Sequence, residues 1–356
     1  MKIRKEVGKI TIYLNTLKLI IMTKFSLLIV LLIVVAITSC DQNESNKSHC
    51  PCIERKALEN VSSEKNFVGI KNITFENYPR VDGSTSASIL NSLIACKLLG
   101  IRYTWERAGG VETWVRPNLD DIPEQYQDFF GNWVKTSQTH GAFMNLIDRN
   151  VDIIVTHRKI SPDEKNHAES VGVSLLETSI ALDAFVFVVN PKNTVQSLTV
   201  DQIRKIYTSQ ITNWSQVGGK NADIKVFSRP RNSGSEEVFR FLVMNGLEPS
   251  IFPEASILSL MALVFSEIYS NENAICYTFL NYKDVMARIP CDQVPILAVN
   301  GICPSEKTIK SKTYPFISEV HIAIRSDLDH NSMAYKLYEW LQSEHAKYTL
   351  AECGFF

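Results

Sequence analysis

Residues 228–239 read SRPRNSGSEEVF, and the order of residue types in that stretch decides how the whole chain is read. Two arginines, Arg229 and Arg231, precede Ser233-Gly234-Ser235. A helix then opens over Glu236 to Met244, with Val238, Phe239, Leu242 and Val243 as its buried positions. The first amides of a helix have no intrahelical partner, and the helix dipole favours negative charge there. Small residues let an oxyanion reach those amides, and serine hydroxyls add donors. The arginines supply what capping does not require, because a guanidinium fork binds two oxygens of a tetrahedral anion at once. Arg229 is the first candidate for that role, with Arg231 a surface neighbour.

Two other stretches share this design. Asp82-Gly83-Ser84-Thr85-Ser86 is followed by Ile89, Leu90, Leu93, Ile94 and Leu98 at helical spacing, with Gly100 placed to end the helix. Thr136-Ser137-Gln138-Thr139-His140-Gly141 is followed by Phe143, Leu146 and Ile147. One such turn is most often the cap of a helix that binds nothing. Three in one chain, one of them behind two arginines, are explained by convergence on a small anion.

Between and beyond these turns, short apolar runs alternate with helical stretches, which is α/β grammar. Strand candidates are Asp152–Thr156, Ala184–Val189, Asp223–Phe227, Ala274–Thr278 and Val320–Ile324. Several are runs of β-branched and aromatic residues of the kind found in a covered sheet. A last helix is expected from Met333 to Leu350, with Gly354 as its stop.

The chain of 356 residues, 45% hydrophobic and 21% charged, is long enough for two lobes with their own cores. Its net charge of −1 excludes a general nucleic-acid binder, which needs a basic face. Lys24, the apolar run Phe25–Ile37 and then Thr38-Ser39-Cys40 read as an export signal ending in a bacterial lipobox, with Met22 as a compact start. The run is within the roughly 7–15 residues of a signal core and short of the ~18 that span a membrane, although an uncleaved anchor is the competing reading. Residues 1–39 are thus expected to be removed, Cys40 to be lipidated, and 40–66 to serve as a flexible tether. The mature chain would carry −6, so an anionic ligand would depend on local donors. Cys50 and Cys52 suit either a metal or redox pair or an ordinary disulfide to a distant cysteine.

At these turns the chain also resembles the substrate-binding proteins of phosphate-type ABC transporters, in the type 2 periplasmic-binding-protein superfamily. The matching stretches are YPRVDGSTSA (Tyr78–Ala87), TSQTHGAF (Thr136–Phe143), DIIVTHRKIS (Asp152–Ser161), LTVDQIRKIYTSQITNWSQVGG (Leu198–Gly219) and SRPRNSGSEEVF. The resemblance implies an α/β clamshell of two lobes, each a mixed sheet flanked by helices, that closes by hinge motion over a dehydrated anion. Lobe one would comprise 67–184 plus 277–356 and lobe two 185–276. Ser84, Thr85 and Ser86 would hold the ligand from the first turn, and Thr139 and His140 from the second. Arg158 would act from the strand exit, and Arg229, Ser233, Gly234 and Ser235 from the opposite lobe. The implied partners are inorganic phosphate, an ABC permease and ATPase, and the membrane through the N-terminal lipid of a monomer in the bacterial envelope. No cofactor or metal is implied.

One departure bears on specificity. Phosphate-specific members place a carboxylate at the exit of the strand Asp152–Thr156, where it accepts a proton from the ligand and excludes fully ionised sulfate; here the exit reads Thr156-His157-Arg158-Lys159. Sulfate, molybdate or a carboxylate therefore stay open as ligands, as does a sensor uncoupled from a permease. His157 is read either as a pH sensor or as a packed residue. Catalysis is not expected, since the sequence has no GxSxG elbow, HExxH or P-loop.

Overall fold

In the computed structural model of the protein, the described residues are 49–51, 67–108 and 112–356. The export signal 1–39, Cys40 and the tether apart from 49–51 lie outside them. The strands are β1 (Val81–Gly83), β2 (Tyr103–Ala108), β3 (Glu112–Pro117), β4 (Ile153–Thr156), β5 (Leu175–Val189), β6 (Ser197–Leu198), β7 (Lys225–Val226), β8 (Ala274–Phe279), β9 (Ala298–Val299) and β10 (Ile317–Arg325). The α-helices are α1 (Ser88–Leu99), α2 (Phe129–Asn132), α3 (Gln138–Ile147), α4 (Pro162–Ser170), α5 (Val200–Tyr207), α6 (Gly234–Val238), α7 (Leu263–Ser270), α8 (Glu306–Lys310), α9 (Met333–Leu341) and α10 (Glu344–Glu352). Among the described residues no helix is long and apolar enough to cross a membrane.

Six strands form one mixed sheet in the order β1-β4-β10-β5-β8-β7. Its two halves are joined by β5, whose Leu175–Ala184 portion pairs with β10 while Phe185–Val189 pairs with β8. Only the second portion is legible as a strand, because Asp183 to Val189 is buried throughout whereas Leu176 and Ser179 face solvent. The hairpin β2–β3 was not anticipated either, since its charged positions Glu106, Arg107 and Arg116 are exposed and break the apolar run. Under the second half lies an aromatic core in which Phe239 stacks on Tyr277 with ring centres 4.5 Å apart, flanked by Phe187 and Tyr207. The capping box of Thr199 and Gln202 opens α5.

Two expectations are corrected. The C-terminal stretch forms two helices where one was expected, because Ser343 adopts an extended conformation and its hydroxyl donates to the Trp340 carbonyl, ending α9. Ile296 bridges Val188 and β9 pairs with β6, so residues 294–302 lie beside the second portion of β5. Cys50, placed in the tether, is buried; its amide donates to the Ile296 carbonyl (3.2 Å) and it forms a disulfide with Cys303. Of the two readings of Cys50, the disulfide to a distant cysteine holds.

Candidate functional site

The first turn is built on a close strand approach. A Cβ at Gly83 would stand 2.5 Å from the Val155 carbonyl oxygen, so only glycine lets β1 leave β4 at this point. The Ser84 amide then donates to that same carbonyl (3.0 Å), and Thr85–Ala87 makes a single 3-10 turn leading into α1. The fully buried Asp82 ties this turn to the second one. Its Oδ1 accepts from the Gly83 amide (2.7 Å) and the Ser137 amide (2.8 Å), while Oδ2 accepts from Asn145 (2.8 Å). Gln138, the first residue of α3, takes a left-handed conformation (φ 62°), which an ordinary side chain seldom adopts.

The third turn faces the second from the other half of the sheet. Ser233 caps α6 through the Glu236 amide, and a Cβ at Gly234 would fall 2.2 Å from Thr139 Oγ1. The two helix starts are therefore in contact only because residue 234 is glycine. Arg229 is 8% exposed. Its amide donates to the Tyr277 hydroxyl (3.1 Å), its Nε to Ser235 Oγ (3.3 Å) and its Nη1 to the Leu258 carbonyl. The Tyr277 hydroxyl in turn donates to Glu236. Burial pushes the Arg229 guanidinium below its usual value and the Glu236 carboxyl above its own. Among the described residues, no carboxylate comes within 4.0 Å of Arg229 to form an ion pair. Glu236 is instead paired with Arg240 (2.8 Å).

The three turns enclose a cavity of about 180 Å³, below the roughly 300–1,000 Å³ typical of sites for drug-sized ligands. Ser84, Thr85, Ser86 and Thr139 line it on one side, and Arg229, Ser233, Gly234 and Ser235 on the other. His140 and Arg158, expected as ligand groups, do not. His140 Nδ1 meets Glu164 Oε1 (2.9 Å), and Arg158 makes two 2.8 Å bonds to Glu164 plus an ion pair with Glu237. The buried carboxylate of Glu164, at the first turn of α4, engages both side chains beside the cavity. Sequence reasoning missed Glu112, Gln138, Ser259 and Tyr282, all in the lining. Glu112 and Tyr282 are hydrogen-bonded to each other although 170 positions apart, and no local pattern signals that.

His157 also lines the cavity, at its floor. Its Nδ1 is hydrogen-bonded to Ser86 Oγ (2.8 Å) and lies 3.4 Å from Ser84 Oγ. Its Nε2 faces Asp183 Oδ2 at 3.6 Å, and its ring packs on Phe279 with centres 4.5 Å apart. Among the described residues there is no cluster of side chains able to hold a metal ion.

An α/β clamshell whose halves are joined by a shared strand and closed on a donor-lined cavity defines a solute-binding protein of the periplasmic type. The chain belongs to the PBP superfamily, whose domain it matches over residues 109–345. It is similar to the phosphate-binding protein PstS of Borreliella burgdorferi B31, at 24% identity over 255 residues, 69% of this chain and 88% of that one. It is also similar to PstS of Bacillus subtilis 168, at 26% identity over 171 residues, 48% of this chain and 53% of that one. In structure it resembles an ABC-type phosphate transport receptor from Vibrio cholerae, with a TM-score of 0.53 and 24% identity over 80% of this chain and 99% of the other.

Proposed function

We propose that the protein captures inorganic phosphate in the cavity between its lobes and delivers it to an ABC permease and ATPase, without chemistry on the ligand. The observation that carries this reading is Arg229, a buried guanidinium with no carboxylate partner among the described residues, at the wall of a cavity lined by serine and threonine hydroxyls. A buried guanidinium without an ion-paired carboxylate is costly, and an oxyanion would supply that charge. Ser84, Thr85, Ser86, Thr139, Ser233, Gly234 and Ser235 surround the same space and would share the ligand's oxygens. The relatives named as phosphate-binding proteins point to the same anion. The lobes would meet near Ala184–Phe185 in β5, where pairing passes from β10 to β8. Export and lipid attachment at Cys40 rest on the N-terminal sequence and would hold the protein at the cell envelope.

The test is calorimetry on the protein stripped of endogenous ligand, titrated with phosphate, sulfate and a small carboxylate. Phosphate should bind, and Arg229→Ala should weaken it by roughly 30-fold or more, the scale of a lost buried charge-assisted contact. Heat with another anion and none with phosphate would move the function to that ligand. Unchanged phosphate binding in Arg229→Ala would remove the site.

A further inference from the structure

At the floor of the cavity Ser86 leads into a chain of three buried side chains. Ser86 Oγ is 2.8 Å from His157 Nδ1, and His157 Nε2 faces Asp183 Oδ2 at 3.6 Å. Asp183 is fully buried, and its other oxygen accepts from the amides of Ala184 (2.8 Å) and Asn281 (3.1 Å). Neither His157 Nε2 nor Asp183 Oδ2 has a hydrogen-bond partner among the described residues. A carboxylate facing Nε2 favours the proton on that nitrogen, and this leaves Nδ1 as the variable end.

We propose that His157 sets the hydrogen-bonding direction of the Ser86 hydroxyl and so selects the proton state of the bound anion. This rests on reading the cavity as an oxyanion site. With the imidazole neutral, Nδ1 has only a lone pair, so Ser86 donates its proton to it and turns oxygen lone pairs to the ligand. A monohydrogen phosphate can donate its P–OH proton to that oxygen, while sulfate has no proton to give and meets an acceptor. With the imidazole protonated, Nδ1–H donates to Ser86 Oγ, and the Ser86 proton is released to bond a fully ionised oxygen. One proton added at His157 therefore converts an acceptor in the cavity into a donor, and no proton is lost elsewhere. Ser84 Oγ, 3.2 Å from Ser86 Oγ, shares the same nitrogen as a second hydroxyl. The function given to the carboxylate missing at the β4 exit thus falls to a serine whose direction is reversible.

The groups facing His157 are few. Asp183 comes from β5, and β10 contributes His321, which burial pushes down to about 4 and so keeps neutral over the range that matters. From β8 and the C-terminal segment come only the rings of Phe279 and Phe355. Across the cavity stand Arg229, a fixed cation, and Glu112, a carboxylate hydrogen-bonded to Tyr282.

Sulfate is the probe, since it carries no proton in this range and any pH dependence of its binding belongs to the protein. Calorimetry on the full protein from about pH 5.5 to about pH 8.5, in two buffers of different ionisation enthalpy, should give sulfate affinity about tenfold or more higher at the acid end, with up to one proton taken up per sulfate where the imidazole starts neutral and less where it is already protonated. His157→Gln and Ser86→Ala should each abolish both the slope and the proton uptake, and Ser86→Ala keeps the histidine in place should the first variant fold poorly. Phosphate that binds while sulfate is excluded at every pH would overturn the proposal and assign selection to a fixed acceptor such as Glu112. A sulfate slope that persists unchanged in Ser86→Ala would overturn it as well. Absence of phosphate binding at any pH would instead overturn the functional reading on which it rests.

Discussion

Arg158, just past β4, is ion-paired with Glu237 on α6, so a side chain from the half of the sheet carrying β1 and β4 is tied to one from the half carrying β8. The same guanidinium makes its two 2.8 Å bonds to Glu164, whose side chain is fully buried. With His140 Nδ1 hydrogen-bonded to Glu164 as well, an arginine, a histidine and two glutamates form one cluster beside the cavity. Its chemistry is that of a clasp, and both basic side chains in it have carboxylate partners while neither lines the cavity.

Removing Arg158 should therefore cost stability more than affinity. Arg158→Ala leaves Glu164 and Glu237 without their main partner, a loss of about 3–5 kcal/mol by the usual cost of breaking a buried pair. Thermal unfolding should show a clear drop, with phosphate affinity falling much less than in Arg229→Ala. An equal loss of affinity in the two variants would return Arg158 to the ligand shell.

The cluster also sets an acid limit. Burial alone would raise the Glu164 carboxyl, but bonds from Arg158, the Ser161 amide and His140 outweigh it and hold the carboxyl below its ordinary 4.5. A depressed carboxyl gives stability that is fully present above its unfolded value and is lost as pH falls through the folded one. Denaturant unfolding should thus lose free energy as pH drops below 4.5. Glu164→Gln should flatten that slope, and an unchanged slope would assign acid sensitivity to other carboxylates.

Gly234 tests the approach of the two helix starts. A Cβ placed 2.2 Å from Thr139 Oγ1 forces them apart, so Gly234→Ala should weaken phosphate binding by about tenfold or more, in line with small displacements at a preorganised site. Combined with Thr139→Ala, which by itself costs the ligand one hydroxyl, the total loss should be smaller than the sum of the two single losses, because the atom in conflict is then gone. Strictly additive losses in calorimetry would show that the clash is relieved in some other way.

The disulfide between Cys50 and Cys303 closes a separation of 253 positions. Paired Cys50→Ser and Cys303→Ser changes should lower unfolding free energy by about 2–4 kcal/mol and leave phosphate affinity intact, since neither residue lines the cavity. A loss of affinity at constant stability would link this strap to closure.

Residue order alone accounts for the local pieces of the fold. Ser/Thr turns followed by apolar positions at helical spacing gave three helix starts, and Gly100 ends α1 in the left-handed conformation that glycine accepts. Runs buried on both faces, such as those in β4 and β8, are legible because their positions are aliphatic, aromatic or small and none is charged. The Ser-Gly-Ser loop after Arg229 pointed to an anion for reasons of backbone chemistry that need no tertiary context. Tertiary structure decided which charges stay free to meet it. Glu164 engages Arg158 and His140 beside the cavity, while Arg229 is buried at its wall without a carboxylate partner among the described residues. Folding also brings Glu112 to Tyr282 and Asp183 to His157 across long chain separations. Periodicity reports how a segment meets water, and it carries no information on which distant charge will neutralise which, because that depends on the pairing of segments that the hydrophobic pattern leaves chemically equivalent.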